Sequence, residues 1–349
     1  MNRKRIAHTL AAVTTGLLFA ATLFCRSASY ISPGKGEFWA LTAMLLPVAL
    51  LLDVVLLVGW LARGRWRLAA LPLTAIILCY SYLSALVQLP EWGRTQTQPR
   101  LHDLRIMTLN AYGFLRLGDH FTTIPAIARV AEREKVDVLC LQEAFPSPVF
   151  PGDSITAWFA GNFPYFVRSD MIALGSRYPI ANHHSVSFPG TLNDYLWADL
   201  VIGTDTVRLF TMHLRTTGFT ELKHRFQEGT DHPGLLREVV SALGRNSRFR
   251  AQQVEEIRQV IDTTRYPVIL TGDFNDPPGT YTYHRLKGSM TDSFRAAGHG
   301  CGSTYRRLGG WLRIDYIFHD KNFTTTRYDI LPDDVSDHSA VIADLRFEQ

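Results

Sequence analysis

At 349 residues the chain has room for one large domain plus an additional segment. Its formal net charge of +4, with 19% charged residues, does not supply the strongly basic stripe expected of a tight duplex binder. Its four cysteines show no CxxC or Cys/His spacing, which argues against a zinc site and a disulfide framework. The averages join two unlike parts: residues 1–90 are mostly apolar, whereas from about Leu101 the composition is that of an ordinary soluble domain.

Three stretches of the first part, about 6–25, 38–61 and 68–87, approach or exceed the ~20 apolar residues that span a bilayer as a helix. Arg3-Lys4-Arg5 before the first stretch also fits a signal peptide, but two further spans follow closely. The basic clusters Arg3–Arg5 and Arg63, Arg65 and Arg67 are expected to stay cytoplasmic, against Arg26 and Lys35 in the opposing loop. Everything after Val87 is then expected outside, on a bacterial-type inner or plasma membrane. Asp53 lies near the middle of the second span without a basic partner in the others, and reads as a protonated or helix-contacting carboxyl. The chain is thus expected to divide into a membrane region at 1–90, a linker at 91–100 within QLPEWGRTQTQPR, and a domain at 101–349.

In that domain, strand-like runs recur at 104–112, 136–143, 171–176, 206–214, 267–275, 313–318 and 339–347. Helical patterns fall between some of them. FTTIPAIARVAEREK places Ile124, Ile127, Ala128 and Ala131 on one face, and RAQQVEEIRQVID does the same with Val254, Ile257, Val260 and Ile261. Interleaved strands and helices predict an α/β sandwich. Several runs stop on polar groups: Asn110, Glu143, His213, and Asp273 with Asn275. VSDHSA brings Asp337 and His338 just before the last strand.

Taken singly these are weak signals. A terminal Glu143 reads as a solvated strand end, GDFND as a turn, SDH as a cap and His213 as a half-buried histidine. As a set, carboxylates and carboxamides are hard oxygen ligands for Mg²⁺, Mn²⁺ or Ca²⁺, and a histidine beside a carboxylate is a base or an oriented donor. Together they suit metal-assisted attack of water on phosphorus. There is no GxSxG, Walker loop, HExxH or dinucleotide fingerprint.

In order and spacing, Asn110, LQE (141–143), SRYPI (176–180), MHL (212–214), GDFN (272–275), RIDYIF (313–318) and SDH (336–338) resemble the endonuclease/exonuclease/phosphatase superfamily. This superfamily contains DNase I-like nucleases, inositol polyphosphate phosphatases and neutral sphingomyelinases. The resemblance covers 101–349 and implies a four-layer α/β sandwich, with two mixed β-sheets between helices, here preceded by three transmembrane helices. It implies Mg²⁺ or Mn²⁺ as cofactor, with Glu143 as principal ligand, Asn110 beside it and Asp337 completing the metal side. Asp273 would polarise the attacking water, with Asn275 on the phosphate oxygens. His338, oriented by Asp315, would stabilise the transition state. His213 would be a second phosphate contact and Arg177 a phosphate or structural one.

The implied activity is a membrane-tethered phosphoesterase acting on nucleic acid or phospholipid head groups. A lipid-directed phosphodiesterase and a non-catalytic module on the same fold are the alternatives. The segment AYGFLR after Asn110 lacks the acidic residue of abasic-site repair members. The insertion at 215–248 reads as a lid or substrate-facing loop, with His224, Glu228 and His232 as a weaker second metal site.

Overall fold

The computed structural model describes residues 3–89, 103–116, 119–146, 152–218, 234–307 and 309–348. The expected linker at 91–100 and the His224, Glu228 and His232 group lie outside these residues. The chain forms two compact units, one from Met1–Ser84, Thr217–Gln252 and Gly279–Arg285, the other from Ala85–Thr216, Gln253–Pro278 and Leu286–Gln349.

The first unit opens with α1 (Arg3–Ala28), α2 (Glu37–Ala43), α3 (Leu46–Ala62) and α4 (Trp66–Leu78), followed by α5 (Tyr80–Leu86) at its boundary. Among the described residues, two helical stretches are long and apolar enough to cross a membrane: Ile6–Ala28, with mean hydropathy 1.6, and Glu37–Ala62, with 2.6. The bent pair α4–α5 passes the same test only if taken as one span. The third expected span, 68–87, is not one straight helix. α4 and α5 meet at Cys79 with a 59° bend, where the aliphatic run gives way to Tyr80-Ser81-Tyr82. Within α5 the Ser84 hydroxyl donates to Ser81 O, 3.2 Å away. Asp53 contacts a neighbouring helix: the Thr22 hydroxyl of α1 donates to its Oδ2 at 2.6 Å. Seven residues away on each helix, Trp60 Nε1 donates to the Thr15 hydroxyl at 2.9 Å.

The second unit holds two six-stranded mixed sheets. In chain order its strands are β1 (Val87–Gln88), β2 (Leu104–Asn110), β3 (Leu115–Arg116), β4 (Asp119–Thr122), β5 (Val138–Gln142), β6 (Tyr165–Arg168), β7 (Ile172–Ser176) and β8 (Ile180–Ser187). Then follow β9 (Asp194–Ile202), β10 (Asp205–His213), β11 (Val268–Asp273), β12 (Thr291–Asp292), β13 (Gly300–Cys301), β14 (Asp315–His319), β15 (Phe323–Ile330) and β16 (Val341–Phe347). One sheet runs β15-β16-β2-β5-β7-β6, the other β12-β14-β11-β10-β9-β8. The parallel pairs are β2–β5 and β10–β11.

Alternation along each strand builds the layers. On β2, Met107 and Leu109 pack with the helix α6 (Ile124–Arg133) through Ile124, Ile127, Ala128 and Ala131, the face read from the sequence. Ile106, from the other face, joins Val138, Leu174, Leu196, Leu209 and Ile317 between the sheets. Asn110 continues the inward series Ile106, Thr108, Asn110. Just below it, Gln142 Nε2 donates to Thr108 on its own sheet at 3.0 Å and to Thr211 on the facing sheet at 2.9 Å. Polar residues thus join the sheets where the apolar core ends.

The expected insertion at 215–248 is partly regular structure: the 29-residue helix Leu235–Thr263 begins inside it and runs into the predicted 250–262 pattern. Val254, Ile257 and Ile261 of that pattern are buried.

Candidate active site

The site grows from strand ends set in register. Across one sheet, His213 is the partner of Asp194 on β9 and of Asp273 on β11, and Asp273 is the partner of Asp315 on β14. Four adjacent strands thereby place Asp194, His213, Asp273 and Asp315 in one row. Gly272, opposite Met212 in the β10–β11 pairing, takes φ +125°. A Cβ there would lie 2.2 Å from the Met212 carbonyl oxygen, so only glycine lets Asp273 come level with His213.

The facing sheet contributes Asn110 and Glu143. The Asn110 Nδ2 donates to Glu143 Oε1 at 2.9 Å and to Asp273 Oδ2 at 3.0 Å. One amide therefore ties a carboxylate of each sheet. Its Oδ1 accepts the Tyr112 N–H at 3.0 Å. Glu143 stands just past β5 with φ +50°, and its side chain keeps 26% of its exposure while those of its neighbours His213 and Asp273 are buried. A left-handed backbone at a glutamate is strained, and here it turns the carboxylate toward His213 Nε2, 3.4 Å away.

Beyond β11 the backbone leaves the strand at Asp273. Phe274 is buried and stacks on Tyr316, ring centroids 4.8 Å apart. Asn275 has φ +52°, so it is not a further alternating strand residue. Its N–H donates to Asp273 Oδ1 at 2.8 Å, and its Nδ2 to Asp273 Oδ2 at 3.1 Å and Leu214 O at 3.0 Å. Asn275 therefore braces Asp273. Burial and then the neighbouring Asp315 push the Asp273 pKa up to about 6, against the lowering pull of His338, His213 and the Asn110 hydrogen bond.

The loop before β16 brings Asp337 and His338. His338 Nδ1 donates to Asp315 Oδ2 at 2.9 Å, and Nε2 lies 3.8 Å from Asp273 Oδ2. Burial disfavours the imidazolium, but Asp315, Asp273 and Asp337 outweigh it and push its pKa up to about 10. The ring of Tyr305 packs on that of His338, centroids 4.9 Å apart. Asp337 Oδ2 lies 2.9 Å from Arg307 Nε, whose guanidinium covers the Tyr112 ring at 5.0 Å. Burial, and beyond His338 and Arg307 also the charge of Glu143, bear on Asp337 and leave its pKa raised.

Of the residues singled out in the sequence, Asn110, Glu143, His213, Asp273, Asn275, Asp315, Asp337 and His338 are brought together. Arg177 is not. The antiparallel register pairs Val138 with Ser176 and Gln142 with Ile172. Arg177 therefore stands at the far end of the strands from Glu143, about 20 Å away at ~3.4 Å per residue, where its backbone N–H donates to Asp137 O. Asp194, Gln142, Tyr305 and Arg307 were missed. The run DYLWADLVI that opens with Asp194 carries a strand signal of its own.

Asp273, Asp315 and His338 present ligand atoms within 4.8 Å of one another. Asp315 and His338, however, already form a donor–acceptor pair. Glu143 and Asp337 add two further carboxylates near enough for the charge of one to raise the pKa of the other, hard oxygens of the kind a divalent cation takes.

The model of the Endonuclease/Exonuclease/phosphatase family matches residues 107–338, from the strand that leads to Asn110 through His338. The chain belongs to this family. A second model, described as a domain of unknown function, matches residues 8–86. No curated protein sequence matches the chain. Among solved structures, an endonuclease/exonuclease/phosphatase from Beutenbergia cavernae DSM 12333 is 21% identical at a TM-score of 0.50, covering 71% of this chain and 72% of that one. A family protein from Bacteroides thetaiotaomicron is 19% identical at 0.51, covering 72% and 100%. The mannosyl-6-phosphatase of Bacteroides thetaiotaomicron VPI-5482 is 18% identical at 0.50, covering 70% and 100%. D. rerio TDP2, complexed with a single-strand DNA product, is 16% identical at 0.50, covering 70% and 99%. At these identities the likeness is one of fold: the DNase I-like arrangement of two mixed sheets with helices, shared with family phosphoesterases.

Proposed function

We propose that the protein is a divalent-metal-dependent phosphoesterase, hydrolysing phosphodiester or phosphomonoester bonds by metal-assisted water attack and tethered to a membrane by its N-terminal helices. The observation that carries this reading is the amide of Asn110. It joins Glu143 of one sheet to Asp273 of the other, so a cation held on the Glu143 side and a water on the Asp273 side would meet one phosphate.

Glu143 and Asp337, with Asn110 alongside, are the residues that would hold Mg²⁺ or Mn²⁺. A bound cation supplies Lewis-acid polarisation of a phosphoryl oxygen and charge neutralisation. Asp273 orients the attacking water and takes its proton; its raised pKa of about 6 still leaves it mostly ionised at neutral pH. Asn110 and Asn275 fix the carboxylate for that task. His338 is charged at neutral pH and offers Nε2–H to a phosphate oxygen, with Asp315 fixing the ring. His213 contributes its Nε2 from the opposite side of Asp273.

The similar structures include a protein named for a sugar phosphate and one solved with a DNA product. What they share is a phosphate ester, and that is the substrate class proposed here. A panel of plasmid DNA, single-stranded DNA, RNA, sphingomyelin, phosphoinositides and simple monoesters separates the nuclease from the lipid-directed form. The general test uses full-length protein in detergent and bis(p-nitrophenyl) phosphate. Hydrolysis is expected with Mg²⁺ or Mn²⁺ and none in EDTA. Asp273→Asn and His338→Ala are each expected to lower turnover by about 10²-fold or more with folding retained. Undiminished activity in EDTA overturns the metal, and near-normal rates in both variants overturn the site.

A further inference from the structure

Leu89, Trp311 and Leu192 are the most exposed large apolar side chains among the described residues of the second unit, at 81%, 77% and 76%; the next, Val87 and Trp158, are at 52%. Single exposed apolar residues are ordinary on a soluble surface. The placement of these three is not. Trp311 precedes β14, which begins at Asp315, and Leu192 precedes β9, which begins at Asp194. Both strands start at the end of the sheet where β10 and β11 finish, and in the order β14-β11-β10-β9 they stand on either side of that pair. At ~4.8 Å per strand they are about 14 Å apart. The row of His213 and Asp273 therefore lies between two segments that each put an apolar side chain into solvent.

Both segments are hydrogen-bonded turns. Leu192 sits in one closed by the Phe188 N–H on Asn193 O at 3.0 Å. Trp311 sits in a hairpin closed by the Thr304 and Tyr305 N–H groups on Leu312 O, and Tyr305 in turn pairs with His338.

Leu89 follows β1, the first strand after the N-terminal helices. β1 pairs with β13 through Val87–Cys301 and Gln88–Gly300. Leu86 O accepts the Gly302 N–H at 2.9 Å, and Ala85 O accepts from Arg313 Nη1 at 2.9 Å. Arg313 is two residues from Trp311 and two from Asp315. The point where the chain leaves its helices is thereby fixed, within the second unit, beside the hairpin that carries Trp311. On the membrane-spanning reading that point is at the bilayer surface, where tryptophan is enriched with its ring among the head groups.

We propose that the rim formed by Trp311, Leu192 and Leu89 enters the membrane interface, and that the phosphate ester hydrolysed is the head group of a lipid in the bilayer that anchors the chain. This rests on the tethered phosphoesterase reading and narrows it to one substrate source. Water adds its oxygen to phosphorus, the P–O ester bond breaks and the departing alkoxide takes a proton. An alcohol and a phosphate result, one of which keeps the acyl chains. The rival occupant is a nucleic-acid strand with a base stacked on Trp311, for which Leu192 and Leu89 offer nothing.

The test uses full-length protein in nanodiscs of phosphatidylcholine, phosphatidylglycerol, phosphatidic acid, sphingomyelin and a phosphoinositide with Mn²⁺, lipid loss being followed by mass spectrometry. Lipid hydrolysis is expected. Trp311→Ser combined with Leu192→Ser is expected to lower it about tenfold or more, while bis(p-nitrophenyl) phosphate turnover and the thermal midpoint stay at wild-type values. Brominated acyl chains are expected to quench the tryptophan emission that Trp311→Phe removes, a measurement that needs no turnover. Intact lipids beside hydrolysed bis(p-nitrophenyl) phosphate overturn the substrate, and cleavage of single-stranded DNA in their place assigns the rim to nucleic acid instead. Equal lipid rates in the double variant, or Trp311 emission untouched by bromine, overturn the membrane contact. A wild type that hydrolyses nothing overturns the phosphoesterase reading, and the quenching then still decides where Trp311 lies.

Discussion

Asn110 is the residue on which the two halves of the site meet. Its Nδ2 is shared by Glu143 and Asp273, so it both screens two carboxylates from each other and fixes their spacing. Asn110→Ala removes that hydrogen bond from a buried acid, which costs about 1–3 kcal/mol when nothing replaces it. The expected outcome is a modest loss of stability in denaturant unfolding together with a loss of about 10- to 100-fold in kcat/KM on bis(p-nitrophenyl) phosphate. A variant that unfolds earlier yet keeps its kcat/KM would make Asn110 a packing residue. At this scale the sequence was readable where a polar residue closed an apolar run, as at Asn110, Glu143 and Asp273. It was misleading at Asn275, because the run read as strand through residue 275 ends at Asp273, and a left-handed backbone turns the amide back on its neighbour.

Strand direction decides which motif residues reach the site. β2, β5, β10 and β11 end there, so the last residues of LRIMTLN, VLCLQ, DTVRLFTMH and VILTGD, or the residue just beyond, are delivered together. β7 runs antiparallel to β5, and the Ser176-Arg177 end of IALGS is carried to the opposite edge. The spacing of SRYPI could not disclose that reversal, because direction belongs to the pairing and not to the segment. β9 runs the other way, and its first residue, Asp194, is the one that joins the row. Gly272 holds this register at its tightest point. Gly272→Ala sets a Cβ against the Met212 backbone and asks alanine for φ +125°. A loss of about 2–4 kcal/mol in unfolding free energy is expected, with turnover falling further than stability as His213 and Asp273 slip out of line. An alanine variant as stable and active as wild type would mean that β10 and β11 can move apart freely.

For the whole molecule, the family and the two-sheet fold were legible because seven short motifs fall in a fixed order along 107–338. The division into compact units was less so: segments 217–252 and 279–285 cluster with the first helices although they follow the sheet strands in the chain. If Glu143 and Asp337 hold a divalent cation, binding should stabilise the folded protein by mass action, about 2.7 kcal/mol at a hundredfold excess over Kd. Thermal unfolding of the full-length protein is expected at a higher temperature in Mg²⁺ than in EDTA, with the difference lost in Glu143→Gln. An equal rise in the variant would place the cation elsewhere.

The paired contacts between α1 and α3 fix the register of two helices, each belonging to a helical stretch long and apolar enough to cross a membrane. Thr22 meets Asp53 and Thr15 meets Trp60, so each partner on one helix climbs as its counterpart on the other descends, and a slip of one turn would break both bonds at once. On the membrane-spanning reading of these helices, the segment bearing Asp53 is costly to insert alone, at about 2.5–3.5 kcal/mol for a central carboxylate. The earlier helix already carries the hydroxyl that receives it. On that reading, α1 and the Glu37–Ala62 stretch that contains α3 are suited to insert together as a hairpin in a single register.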